Sequence, residues 1–151
     1  MSGDLGRPYQ GAFIGRVHHF ALRAYFEDTD VSGVVYHANY LKYMERARSD
    51  MLRAAGIDQR AAIESGEGVY VVADLQIKYR ASAKLDEDLI VLSEVREVRA
   101  ASCTIHQRVM RGTDLLTEGM VTAAFVWEGR PKRQPRAWVE IFRSLLTGEG
   151  D

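Results

Sequence analysis

The feature that most constrains this chain is one change of hydrophobic period. After a polar turn near residue 30, apolar residues recur at three- and four-residue steps: Tyr40, Met44, Ala47, Met51 and Ala55, with Leu41, Arg48 and Leu52 widening the stripe. That spacing predicts an amphipathic helix over 39–55, capped by Asn39 and ended by Gly56. Beyond it the period becomes two. Val69 to Tyr79 alternate over eleven residues, and further strands are predicted over 89–98, 102–111 and 115–127, the last two joined by a turn at Gly112-Thr113-Asp114. Strands in direct succession favour an antiparallel sheet. One long helix with a broad apolar stripe must then be covered by that sheet. The expected fold class is α+β.

The remaining segments are read around this frame. An earlier strand is expected over 17–26, with Phe20, Leu22, Ala24 and Phe26 on one face. A short helix is expected over 58–64 and a last one over 137–146. Residues 1–15, broken by Gly3, Gly6, Pro8, Gly11 and Gly15, read as a flexible lead-in to a single domain over 16–147.

Composition narrows the function classes. Hydrophobic residues make up 46% and charged residues 27% of the 151, enough for a core and against disorder. With 20 basic and 21 acidic side chains the net charge is −1. No global positive field favours nucleic acid, so an anionic ligand must be met by a local cluster. Cys103 is the single cysteine, so neither an internal disulfide nor a cysteine-based zinc site can form. A lone thiol, no signal-peptide pattern and no apolar run of about 20 residues lead to the expectation of a cytoplasmic protein without a transmembrane segment.

The candidate chemistry concentrates in Glu27-Asp28-Thr29-Asp30-Val31-Ser32-Gly33. From Asp28 to Gly33 it resembles the start of a calcium loop, but the twelfth position is Asn39 rather than glutamate and a strand precedes it, so no metal is expected. Taken alone, an aspartate here is a turn residue bonding its own backbone. What raises Asp30 is the glycine that follows and then Tyr36-His37-Ala38-Asn39-Tyr40 at a helix start, where unpaired N–H groups and the positive dipole end are found. A carboxylate beside such donors can serve acyl transfer. His37 is the best placed histidine. Cys103 reads as a small core residue. Serine catalysis lacks its glycine-flanked elbow. Glu45 reads as a solvated or subunit-facing charge, with a catalytic helix carboxylate as the alternative. Arg130, Lys132, Arg133 and Arg136 form a basic loop suited to phosphate.

From Tyr25 to Asp50 the chain reads Tyr-Phe-Glu-Asp-Thr-Asp-Val-Ser-Gly-Val-Val-Tyr-His-Ala-Asn-Tyr-Leu-Lys-Tyr-Met-Glu-Arg-Ala-Arg-Ser-Asp. This segment resembles the hotdog-fold 4-hydroxybenzoyl-CoA thioesterase superfamily, and within it the Tol–Pal-associated acyl-CoA thioesterases of the YbgC type. The resemblance implies a curved antiparallel sheet wrapped around the long helix. It implies a homodimer whose two sheets join, or a homotetramer built from it, with the active site between subunits. It implies acyl-CoA as substrate, acyl carrier protein thioesters as an alternative, a link to the Tol–Pal cell-envelope system, and no cofactor beyond the coenzyme A of the substrate. Asp30 matches the family's catalytic aspartate, acting as nucleophile or as general base. The backbone N–H of His37 matches the donor that polarises the thioester carbonyl. Gly33, Val35, Tyr36, Asn39 and Tyr40 fall on the substrate-binding segment, and Arg99 and Ser102 align with a turn that contacts coenzyme A phosphates in one branch. A hotdog 3-hydroxyacyl dehydratase and a non-catalytic acyl-binding scaffold are the competing readings.

Overall fold

The computed structural model describes residues 5–148; the first four residues of the expected lead-in lie outside them. The element order is β1 (Ala12–Ile14), β2 (Val17–Arg23), α1 (Asn39–Ala54), α2 (Gln59–Glu64), β3 (Val69–Tyr79), β4 (Asp88–Val98), β5 (Ser102–Arg111), β6 (Asp114–Trp127), β7 (Arg130–Pro131) and α3 (Arg136–Ser144). The strands form one antiparallel sheet in the order β1-β2-β4-β5-β6-β3, with β7 paired to β6. This is the hotdog arrangement: one curved sheet around one long helix.

The sheet closes over α1 because β4 and β5 alternate along the stretch that meets the helix, between register shifts at Val95/Glu97 and Val109/Met110. Leu89, Val91, Ser93 and Val95 on β4, and Cys103, Ile105, Gln107 and Val109 on β5, are buried on the face that receives the helix. Tyr40, Met44, Ala47 and Met51 of the predicted stripe come down from α1 to meet them, joined by Tyr43, which lay outside it. Gly119 on β6 gives Met44 room, since a Cβ there would strike the end of its side chain. Gly56 ends the region at φ +88°, a left-handed conformation glycine adopts at no steric cost.

Several expected details change. Asn39 is the first helical residue rather than the cap: Ala38 holds that position without a side-chain bond, and the Asn39 amide reaches back to the Asp28 carbonyl at 2.8 Å. The first long strand stops at Arg23, because Phe26–Asp28 wind into a 3-10 turn that leaves Phe26 exposed. Within the expected lead-in, Ala12–Ile14 pair with Val17–His19, and Gly15 (φ +64°) makes the tight turn between them. The basic loop contains the two-residue β7.

The alternation of β3 also breaks. A bulge between Val72 and Asp74 inserts Ala73, so Tyr70 and Val72 share a face with Leu75, Ile77 and Tyr79. Among the described residues, strand β3 has β6 as its single neighbour and its other edge is open, with Val71, Val72, Leu75 and Tyr79 exposed.

Candidate active site

After Arg23 the chain leaves the sheet and is pinned to the segment before β4. Ala24 exchanges backbone bonds with Asp86 and Glu87, Val35 N–H donates to Ala83, and Leu85 N–H donates to Gly33. The loop between is a tight turn. Asp30 N–H donates to the Val34 carbonyl, Gly33 N–H donates to the Asp30 carbonyl, and Gly33 sits at φ +82°. Asp28 serves this scaffold. Its carboxylate accepts from Tyr25 N–H at 2.8 Å, and its carbonyl accepts from Tyr36 N–H and the Asn39 amide.

The Asp30 carboxylate is used asymmetrically. Oδ1 accepts from the Ser32 hydroxyl, from Ser32 N–H at 2.8 Å and from Val34 N–H at 3.4 Å. Oδ2 accepts from no group among the described residues and faces solvent. Hydrogen bonds from the Ser32 hydroxyl, then from the Ser32 backbone, hold the carboxyl below the usual aspartate range. The turn reading of Asp30 is therefore fulfilled by one oxygen while the other is left open. Ser32, which sequence reasoning passed over, does most of this. The Asp-x-Ser spacing typical of such turns was the signal that could have found it.

The helix start supplies donors in an unexpected place. Asn39, Tyr40 and Leu41 N–H groups bond to the Tyr36, His37 and Ala38 carbonyls, which tightens the first turn. The free N–H groups are those of His37 and Ala38, which donate to nothing among the described residues. The His37 ring is exposed and stacks near Tyr36 at 4.5 Å and Tyr79 at 5.8 Å. Tyr40 and Val35 are buried beneath, with the Tyr40 hydroxyl accepting from Ala83 N–H at 2.9 Å. Burial pushes the Tyr40 phenol up, so it stays protonated.

Gly33, Val35, Tyr36, Asn39 and Tyr40 thus gather with Asp30 and His37 at the N-terminal end of α1. Arg99 and Ser102 do not. They lie in the turn between β4 and β5, with Ser102 opposite Ala124 on β6, whereas Tyr79, which touches His37, is opposite Thr117. Seven residues of strand put these places about 20 Å apart. Arg99 pairs with Glu97 at 2.9 Å.

A cavity of about 390 Å³ opens at that far end. Glu45, Arg48, Ser49 and Leu52 from α1 line one wall, and Tyr70, Val71 and Val72 of β3 another; Cys103, Ile105 and Phe142 add apolar surface. Asp30 is not in it. Ten residues of helix, about 15 Å, separate Asn39 from Ser49. Two of the lining residues are tied to Gln134, whose side-chain oxygen accepts from Tyr70 at 2.6 Å and from Cys103 at 3.2 Å. Burial pushes the Cys103 thiol up to about 12, which keeps it unreactive.

Residues 32–118 match the family model of the thioesterase superfamily, a stretch that begins just after Asp30 and ends in β6. The chain belongs to the thioesterase superfamily. Among thioesterases of known name, it is 44% identical over 113 residues to the acyl-CoA thioesterase YbgC of Haemophilus influenzae, which covers 75% of this chain and 83% of that one. It is 39% identical over 132 residues to the acyl-CoA thioesterase YbgC of Helicobacter pylori, covering 83% and 96%. The crystal structure of a probable thioesterase from Bartonella henselae superposes with a TM-score of 0.74 at 33% identity, over 79% of this chain and 99% of that one. The DHNA-CoA thioesterase of Staphylococcus aureus shares the fold at a TM-score of 0.79 and 24% identity, over 85% and 90%. No helix among the described residues is long and apolar enough to cross a membrane.

Proposed function

We propose that this thioesterase hydrolyses acyl-CoA to free acid and coenzyme A, with Asp30 as the reacting carboxylate. The observation that carries the reading is the divided carboxylate: Oδ1 is held by three donors and Oδ2 is open. A thioester carbonyl is a good partner for it, because sulfur donates little resonance and no stronger nucleophile is needed. The free His37 and Ala38 N–H groups, at the positive end of α1, suit the oxygen that gains charge as the carbonyl is attacked. Asp30 either activates a water as general base, or attacks directly through Oδ2, which forms a mixed anhydride as the carbon–sulfur bond breaks and the thiolate leaves to take a proton from water. Water then opens the anhydride.

Asp30→Asn tests the assignment. It keeps a turn acceptor at Oδ1 and removes the charge, so folding is expected to be unchanged while hydrolysis falls by about 10²–10⁴-fold. Near-full activity in that variant would sink the role of Asp30. Single-turnover hydrolysis in oxygen-18 water tests the attack route: label incorporated into Asp30 supports attack by the side chain.

The separation of Asp30 from the cavity supports a two-fold dimer as the working form. If the open edges of two β3 strands pair antiparallel about Asp74, Val69–Val72 of each chain face Gln76–Tyr79 of the other. Tyr79 carries His37 beside it, so the loop of one protomer comes to the cavity of its partner. Arg99 and the basic loop then flank the same composite site, where coenzyme A phosphates would meet them. A further doubling to a tetramer, acyl carrier protein thioesters as substrates, a cytoplasmic location and the Tol–Pal link are extensions suggested by the resemblance. A thiol-release panel over acyl-CoA and acyl carrier protein thioesters of graded length addresses the substrate directly.

A further inference from the structure

The Asp30 mechanism makes no use of Arg48, yet the fold commits several groups to it. Arg48 is half-buried in the cavity wall. Its Nη1 donates to Gln107 Oε1 at 2.9 Å. Gln107 is fully buried, and its Nε2 donates to the Met44 carbonyl and to the Ser93 hydroxyl, each at 2.9 Å. The Met44 carbonyl can only accept, which fixes the amide so that its oxygen must face Arg48. A buried strand residue is thereby dedicated to aiming one guanidinium.

That guanidinium lacks a counter-ion. Among the described residues no carboxylate lies within ion-pair distance of it. Glu45, one turn earlier, lines the same cavity and attracts Arg48, but stands beyond that distance. Burial pulls the Arg48 pKa down. A half-buried cation with one hydrogen bond is costly unless a ligand completes it.

The surroundings state what kind of ligand. Leu52, Tyr70, Cys103, Ile105 and Phe142 give the cavity apolar surface for a hydrocarbon chain. Arg48 offers donors, Glu45 an acceptor, and the two charges cancel. A carboxylate on the ligand would meet Arg48 but be opposed by Glu45. A hydroxyl answers both, since it accepts from one and donates to the other.

We propose that Arg48, held by Gln107, selects acyl groups that carry a hydroxyl on an otherwise apolar chain. The inference rests on the acyl-CoA reading above and names the substrate class within it. A site that bonds a hydroxyl disfavours the analogue that lacks it, because the half-buried Arg48 is then left without a second partner, while the exposed Glu45 can turn to water.

The test compares butyryl-CoA, 3-hydroxybutyryl-CoA, 4-hydroxybutyryl-CoA and succinyl-CoA as substrates. In parallel, binding of the non-hydrolysable thioethers S-butyl-CoA and S-(3-hydroxybutyl)-CoA or S-(4-hydroxybutyl)-CoA is measured by calorimetry. The wild type is expected to favour at least one hydroxyacyl substrate over butyryl-CoA by about tenfold or more in kcat/KM. In Arg48→Met, kcat/KM for that substrate falls about tenfold further than for butyryl-CoA, and Arg48→Lys restores part of the difference. Both variants are checked for wild-type secondary structure and oligomeric state. Equal losses for all substrates in a folded Arg48→Met, no wild-type preference, or a preference for succinyl-CoA each overturn the proposal. If no thioester is hydrolysed but the thioethers are still discriminated through Arg48, the hydrolase reading fails and the hydroxyl site stands. If hydrolysis is normal and discrimination is absent, the reverse holds.

Discussion

At Asp30 the turn residue and the proposed reactive residue are the same side chain, with Oδ1 taken up by the turn and Oδ2 left open among the described residues. Ser32 is what keeps the division, since its hydroxyl and N–H both bind Oδ1. Those bonds depress the Asp30 pKa, so the carboxylate is ionised in the fold at pH values where a free aspartate would begin to protonate. Its stabilising bonds are present above the unfolded value and are lost as pH falls through the lower folded one. Activity should therefore persist below the ordinary aspartate range. Ser32→Ala is expected to move the acid limb of the pH–rate profile upward, toward the ordinary aspartate range, with folding intact. An acid limb that stays in place would mean Ser32 does not tune the carboxylate.

The elements are tied to one another by polar contacts that no periodicity announces. Helix α1 is pinned to β2 by His18 Nε2 and Asp50 at 2.8 Å, and the same carboxylate accepts from Gly11 N–H at 2.9 Å. His18 is fully buried, and desolvation outweighs the pull of Asp50, so its pKa is lowered. A histidine buried neutral must be charged to match the unfolded chain. Stability is then complete above the unfolded value of about 6.5 and declines as pH drops below it. Denaturant midpoints of wild type against His18→Gln, taken from pH 7.5 to 5, should show that decline weakened in the variant. At the other end of the sheet the basic loop is drawn in by Gln134, whose amide nitrogen donates to the Arg99 and Ser102 carbonyls. Neutralising Arg130, Lys132 and Arg133 together should raise KM for acyl-CoA while leaving KM for an acyl-pantetheine, which lacks the nucleotide, nearly unchanged. Equal shifts for both would return the loop to ordinary solvated surface. Packing around Gly68 is equally local: a Cβ there would run into the Phe125 ring, which is fully buried. Gly68→Ala should cost about 1–3 kcal/mol in chemical denaturation.

For the whole molecule, the Asp30 loop lies at the start of α1 and the cavity beside its later turns, which is why the proposed dimer would share its chemistry between protomers. This can be tested by complementation. Asp30→Asn destroys the carboxylate, and Ser49→Trp fills the cavity. Each homodimer should be nearly inactive. After unfolding and refolding an equal mixture, half of the dimers are mixed, and each mixed dimer has one intact composite site, giving about a quarter of wild-type activity. No recovery on mixing would place both parts of the site within one chain.

Much of this protein was legible in its sequence. The helical stripe from Tyr40 to Met51 and the alternation of β4, β5 and β6 are written in residue spacing, because burial on one face selects apolar side chains at the period of the element. The Asp30-to-Tyr40 segment was legible for a related reason: a turn, a glycine at positive φ and a helix start are local events, fixed by neighbours in the chain. What the tertiary structure alone decided is where unlike segments meet. Ser93 and Gln107 look like ordinary polar strand residues until α1 sets the Met44 carbonyl and Arg48 against them. The bulge at Ala73 reverses the faces of half of β3, and no side chain near it signals the slip. The distance between Asp30 and the cavity depends on how the sheet wraps the helix. Such contacts join residues far apart in sequence, and spacing along the chain carries no record of them.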